Sequence, residues 1–152
     1  MRTHTYGICI RWKATGGEGT KTYAGYSRNH TIEVEGKPAI LASSDAAFRG
    51  DAARYSPEEL LVASLSSCHM LWYLHLCSVN RVEVVDYCDR ATGTMDENGG
   101  SGQFASVDLR PQATIAALHD RAKALALHAQ AHRLCFIARS VRFPVRVTAT
   151  IA

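Results

Sequence analysis

Hydrophobic and polar positions alternate from the start of the chain. Tyr6, Ile8, Ile10 and Trp12 sit at every second residue, the period of a half-buried strand. Thr15-Gly16-Gly17-Glu18-Gly19 reads as a turn, after which Thr20 to Tyr26 is expected to return as a second strand. Thr31–Val34 and Ala39–Leu41 flank Glu35-Gly36-Lys37-Pro38, a hairpin signal. Ser43 to Tyr55 reads as a loop. The pattern then changes to an almost unbroken run of apolar and small residues from Leu60 to Val79. This run has a clear helix start, with Ser56 as N-cap, Pro57 at the first helical position and Glu59 placed to close a capping box. It is nearly long enough to span a bilayer. However, it carries four serines, His69 and His75, and follows two glutamates, so a buried central helix is predicted.

Beyond it, Val82–Tyr87 running on to Met95, and Phe104–Leu109, read as strands joined by the turn Asp96-Glu97-Asn98-Gly99-Gly100-Ser101-Gly102. Ile115, Leu118, Ala122, Leu125 and Ala129 recur at helical spacing, which predicts a second helix over Thr114–Leu134. A short helical piece from Cys135 to Val141 follows, and Val145, Val147, Ala149 and Ile151 alternate as a closing strand. Strands in runs separated by helices place the chain in the α+β class with largely antiparallel sheets. The 152 residues form one expected domain, 1–152, long enough for a sizeable core.

Composition narrows the function classes. A net charge of +3 with scattered Lys and Arg argues against a nucleic-acid groove. Met1-Arg2-Thr3-His4-Thr5-Tyr6 lacks the apolar run of a signal peptide. With no such run, the five cysteines (Cys9, Cys68, Cys77, Cys88 and Cys135) point to a reducing cytoplasm, where a disulfide is transient and chemical rather than structural.

Cys68 lies about three turns into the long helix, beyond the reach of the helix dipole. Its neighbours at helical spacing are Leu61, Ser64, Leu65, Leu71, Trp72 and His75, mostly apolar. Such surroundings raise a thiol pKa, so a reactive thiolate there needs a cation from elsewhere. A cysteine in a helix is more often a small core residue. Cys135 follows the second helix and opens a short helical segment, where free backbone N–H groups favour a thiolate. Cys68 and Cys135 are therefore the pair expected for a dithiol/disulfide cycle. Cys77 is roughly 13 Å along the helix from Cys68 and cannot reach it. Cys9 and Cys88 fall in strand patterns and are expected to fill the core.

Ser56-Pro57-Glu58-Glu59-Leu60-Leu61, followed by Cys68 and by a second cysteine near a later short helix, resembles the OsmC/Ohr family of thiol-dependent organic hydroperoxide reductases. The order of elements resembles that family over nearly the whole chain. The resemblance implies an OsmC-like fold in an intertwined homodimer with active sites at the subunit interface. It also implies peroxidatic attack by Cys68 on a small hydrophobic hydroperoxide, resolution by Cys135, and reduction by an external dithiol. No cofactor is implied, nor a nucleic-acid or membrane partner. The family's carboxylate falls on Glu58, which would orient an arginine beside Cys68. Two arginines are candidates: Arg49 in Phe48-Arg49-Gly50-Asp51, one residue out of step, and Arg28 in Tyr26-Ser27-Arg28-Asn29-His30. Glu18 stands where one branch has its arginine, and Phe136 stands where proline usually follows the second cysteine. Glu58 and Cys68 are separated by about 15 Å of straight helix, so Glu58 would act on the Cys68 of a partner chain.

Two other readings remain from the residues. The apolar stripe with Met70 and Trp72 suits a pocket for a hydrophobic small molecule, bound without turnover. His128, His132 and Cys135 stand at i, i+4 and i+7 on one helix face, a spacing compatible with zinc, with His69, His75 and Cys77 as further ligand types.

Overall fold

The computed structural model describes residues 2–17, 19–116 and 121–152. Glu18, and Leu118 of the predicted second helix, lie outside the described residues. The chain divides into two compact units, 1–60 and 61–152.

In the first unit, β1 (Cys9–Arg11), β2 (His30–Glu33) and β3 (Ile40–Ala42) form an antiparallel sheet in that order. The predicted hairpin is present: Gly36 takes φ 75°, and the Lys37 N–H donates to the Val34 carbonyl at 3.0 Å. Thr20–Tyr26 does not form the expected strand. The Arg28 guanidinium takes up the Tyr23 and Tyr26 carbonyls, at 2.6 and 2.5 Å, that a ladder would have needed. The loop before the long helix contains a 3-10 turn, Ala46–Phe48, whose Ala47 N–H is capped by Asp45. It closes on Gly50, where a Cβ would stand 1.6 Å from the Ser44 carbonyl oxygen, so only glycine fits.

Helix α1 spans Pro57–Val79. Its capping box forms as the sequence predicts: the Ser56 N–H donates to Glu59 Oε2 at 2.8 Å, and the Glu59 N–H to Ser56 Oγ at 3.2 Å. The helix is buried along one stripe (Leu65, His69, Tyr73, Leu76, Cys77), while Leu71 and Val79 are exposed. It is thus amphipathic in burial, not enclosed on all sides as the run of apolar residues suggested.

The second unit continues with β4 (Val84–Asp89), β5 (Thr92–Asn98), β6 (Ser101–Leu109), β7 (Pro111–Ile115), α2 (Arg121–Leu134), β8 (Val145–Val147) and β9 (Thr150–Ile151). Two sheets result, β4-β7-β9 and β5-β6-β8. The β5–β6 pair is antiparallel, as the turn between them predicts; β4 pairs antiparallel with the unpredicted β7, and β6–β8 and β7–β9 are parallel. The single strand expected from Val82 to Met95 breaks after Asp89, whose carboxylate accepts the Arg110 N–H at 2.7 Å and ties that corner to the β6–β7 junction. Thr114 and Ile115, expected to open the second helix, are instead drawn into β7 by pairing with β4.

One core cluster joins Tyr73, Leu76 and Cys77 of α1 to Ala113 and Ile115 of β7 and Ala124, Leu127 and Ala131 of α2. A second gathers Leu65, Val107 and Leu109, with Ile137 and Ala138 packed against them. Cys77 is buried, but Cys9 and Cys88 are exposed, contrary to the expectation that strand periodicity would bury them. In β4 it is the alternate residue, Tyr87, that turns towards the core.

The larger core also holds a polar contact. His69 Nε2 lies 3.0 Å from His128 Nδ1, and the His128 ring stacks on Tyr73 at 3.6 Å. Both imidazoles are buried. Burial pushes the His128 pKa down to about 3, with His69 adding to the shift. It pushes that of His69 down to about 4, with His132 adding and Asp89 opposing. Both histidines are therefore neutral in the folded chain, and the unfolded chain takes up their protons first as pH falls. The stability they represent is complete above the unfolded value of about 6.5 and is lost progressively below it, on the order of 3 kcal/mol for the coupled pair. We expect urea midpoints to be flat above pH 6.5 and to fall steeply towards pH 4, with a shallower fall in His128→Gln. An identical acid limb in that variant would refute the assignment.

Candidate active site

Packing, not chain proximity, brings the two candidate thiols together. Leu65, one turn before Cys68 on α1, is fully buried against the cluster that holds Ile137 and Ala138, which follow Cys135. The segment after α2 is thereby brought beside the helix, and the Cys68 thiol lies close enough to that of Cys135 to add to the rise in its pKa. Both cysteines are free. They differ in exposure: Cys68 is half-buried, whereas Cys135 is 1% exposed.

Cys135 sits where the sequence predicts available backbone donors. The Ala138 N–H donates to its sulfur at 3.4 Å, and the Ile137 N–H also contributes. These donors do not prevail. Burial is the larger effect, and with the neighbouring Cys68 thiol it pushes the Cys135 pKa up to about 11. Cys135 is therefore a thiol at neutral pH, a poor first nucleophile but well placed to attack a partner only a short movement away.

Cys68 opens onto a cavity of about 600 Å³. Leu71, Trp72, Phe136 and Ile137 supply apolar walls, and Ser64, Ser67 and His75 the polar atoms. Helical spacing accounts for one wall, since Ser64, Cys68, Leu71, Trp72 and His75 share a face of α1. The opposite wall, Phe136 and Ile137, comes from the segment beside Cys135. The Phe136 ring stands edge-to-face on Trp72, with centroids 5.4 Å apart. An apolar cavity of this size around a single sulfur suits a small organic ligand that presents its reactive atom to Cys68.

The remaining predicted site residues belong to the first unit. Arg28 lies over the rings of Tyr26 and Tyr23, at 3.9 and 4.7 Å. Arg49 lies 5.8 Å from the same Tyr23 ring, so the two arginines the sequence could not separate converge on one side chain. Arg49 has φ 65° and ends the 3-10 turn. Glu58 is half-buried, and its Oε2 is buried with no hydrogen-bond partner among the described residues. A carboxylate oxygen in that condition is costly unless a cation or donor meets it.

The set His128, His132 and Cys135 is divided by the fold: His128 bonds His69, and Cys135 lies beside Cys68. Among the described residues, no group of three or more His, Cys, Asp or Glu side chains is placed to hold a metal ion. The buried histidine pair was missed at the level of sequence, although His69 occupies the same helical stripe as Leu65, Tyr73 and Leu76 and so stands at a core position. Phe136 and Ile137 as cavity walls had no periodic signal, because they lie outside regular structure.

Oxidation tests the thiol geometry directly. One equivalent of a mild two-electron oxidant is expected to remove two hydrogens from the protein and to link the peptides containing Cys68 and Cys135. Linkage through Cys77, Cys9 or Cys88 instead would show that the observed proximity does not govern the chemistry.

The comparisons with other proteins bear on the fold and the family. An OsmC-like protein of unknown function from Vibrio cholerae is 34% identical, with a TM-score of 0.85 over 97% of this chain and 99% of that one. An organic hydroperoxide resistance protein OsmC from Legionella pneumophila is 22% identical with a TM-score of 0.65, over 99% of each chain. One from Elizabethkingia anophelis, with thiocyanate bound, is 17% identical with a TM-score of 0.65, also over 99% of each chain. At these lower identities the likeness is one of fold. No curated protein matches the sequence. The sequence matches the family model for OsmC-like proteins over residues 50–150, which include both thiols and all of α1, and the chain belongs to that family.

Proposed function

We propose that this protein is a thiol-dependent peroxidase that reduces organic hydroperoxides to alcohols through Cys68 and Cys135, as part of an oxidative stress response. One observation carries the reading: two free thiols lie side by side, and one of them opens onto an apolar cavity. Membership of a family that includes organic hydroperoxide resistance proteins supports it.

In the first step the Cys68 thiolate attacks the terminal oxygen of the hydroperoxide. The O–O bond breaks, and its electron pair leaves on the alkoxide, which takes up a proton to become the alcohol. Cys68 is left as a sulfenic acid. Cys135 then attacks that sulfur, forming the disulfide and releasing water. It must lose its proton as it attacks, and the Ala138 and Ile137 N–H groups at its sulfur favour the thiolate that forms. An external dithiol returns both cysteines to the reduced state.

A cation beside Cys68 would stabilise the attacking thiolate and polarise the hydroperoxide. We assign that role to Arg28 or Arg49, oriented by Glu58, within a homodimer. Glu58 lies about 15 Å along the helix from its own Cys68, so it would serve the site of the partner. The buried, unpartnered Glu58 oxygen is the feature that a guanidinium would satisfy. The proposed setting is the cytoplasm, where a dithiol reductant is available.

A second reading is favoured by the cavity itself: a non-catalytic member that binds a hydrophobic small molecule. A putative organic hydroperoxide resistance protein from Vibrio cholerae, 20% identical, holds captopril in one of its active sites. Turnover separates the two readings. Wild type with an excess of dithiol is expected to consume an organic hydroperoxide catalytically, Cys68→Ser to fall to background, and Cys135→Ser to complete one turnover and then stall over-oxidised. Equal rates in wild type and Cys68→Ser would remove the peroxidase reading and leave the binding one.

A further inference from the structure

The cavity at Cys68 has one wall that cannot be separated from the second thiol. Phe136 is peptide-bonded to Cys135 and is 67% exposed. Its ring is held on one side by Trp72 at an interplanar angle of 89°. Trp72 in turn meets His75 edge-to-face at 5.8 Å, so three rings line the cavity in a row. The backbone on either side is fixed: the Phe136 carbonyl accepts from Ser140 Oγ at 2.8 Å, and the Cys135 carbonyl from the Arg139 N–H at 3.1 Å. The side chain is therefore the adjustable part. An edge-to-face aromatic contact contributes about 0.5–1.5 kcal/mol beyond its buried area, a restraint that a ligand of a few apolar atoms can replace.

We infer that Phe136 is the specificity-determining residue of this site, setting the largest substrate the cavity admits and linking that size to the rate at which Cys135 closes the disulfide. The inference rests on the peroxidase reading for its kinetic half only. Two steps involve the ring. A hydroperoxide must first fit between Trp72 and Phe136 for its terminal oxygen to reach Cys68. After oxygen transfer, the alcohol occupies that same space while the two neighbouring sulfurs must close to about 2 Å. The Cys135 side chain must turn towards Cys68 beside the space that the Phe136 ring borders. A small alcohol leaves room for this movement, and a bulky one held against the ring opposes it. The shared space thus makes substrate size a variable of the resolving step as well as of binding.

The test compares wild type, Phe136→Ala and Phe136→Leu with tert-butyl and cumene hydroperoxides, and follows both steady-state kinetics and disulfide formation after a single oxidation. Removal of the ring is expected to shift the kcat/KM ratio towards cumene hydroperoxide by about tenfold, with Phe136→Leu intermediate. Disulfide closure after cumene hydroperoxide should become as fast as after tert-butyl hydroperoxide. Calorimetric titration with the unreactive alcohols, tert-butanol and cumyl alcohol, reads the binding half without turnover and should show the same change of preference. Equal effects on both substrates and both alcohols would overturn the inference, since a merely structural wall would weaken all of them alike. If wild type turns over neither hydroperoxide, the peroxidase reading fails, while the alcohol titrations still decide the role of Phe136 in selection. Thermal melts identify any variant that has lost its fold, and Phe136→Leu retains most of the wall if Phe136→Ala does not fold.

Discussion

The burial of Leu65 of α1 in one apolar cluster with Val107 and Leu109, against which Ile137 and Ala138 also pack, is the constraint on which the site depends. Sixty-seven positions of sequence separate Cys68 from Cys135. No local interaction can hold such a pair side by side. A fully buried leucine one turn before the first thiol, packed in the cluster that also takes up the two residues after the second, does so by burial alone. Burying a leucine side chain contributes roughly 1.5–3 kcal/mol, enough to dock a short segment whose own hydrogen bonds are already made.

That docking also separates the two thiols chemically. One faces a cavity, and the other is enclosed. The enclosed Cys135 receives backbone N–H donors, yet its pKa rises, because desolvation of a thiolate outweighs two weak donors. The result is a protonated thiol held against a more accessible one, an order of reactivity suited to sequential attack. The histidine pair in the larger core obeys the same rule. Two imidazoles that would titrate near neutrality in water are kept neutral by burial, and they contribute a hydrogen bond to the packing of α1 against α2.

Several features could be read without coordinates. The start of α1 followed from Ser56, Pro57 and Glu59, because a capping box is a local interaction among residues three apart. The face shared by Ser64, Cys68, Leu71, Trp72 and His75 followed from helical spacing. Phe136 was visible only as a departure from the proline usual after the second cysteine. That it forms a wall could not be read, since nothing local fixes where an irregular segment docks. Strand periodicity misled at Cys9, Cys88 and Thr20–Tyr26. A period of two gives alternation but not which face is covered, and the carbonyls of 23 and 26 went to the Arg28 side chain.

The sequence by itself determined the α+β class and the long helix with its cap, and singled out Cys68 and Cys135 as the expected pair. Each rests on interactions within a few residues of chain or on the period of a single element. Only the tertiary structure decided that these thiols lie side by side, that Phe136 lines the cavity beside them, that His128 bonds His69, and that Arg28 and Arg49 meet at one tyrosine ring. These are encounters between segments distant in the chain, and they are fixed by which apolar side chains find burial together.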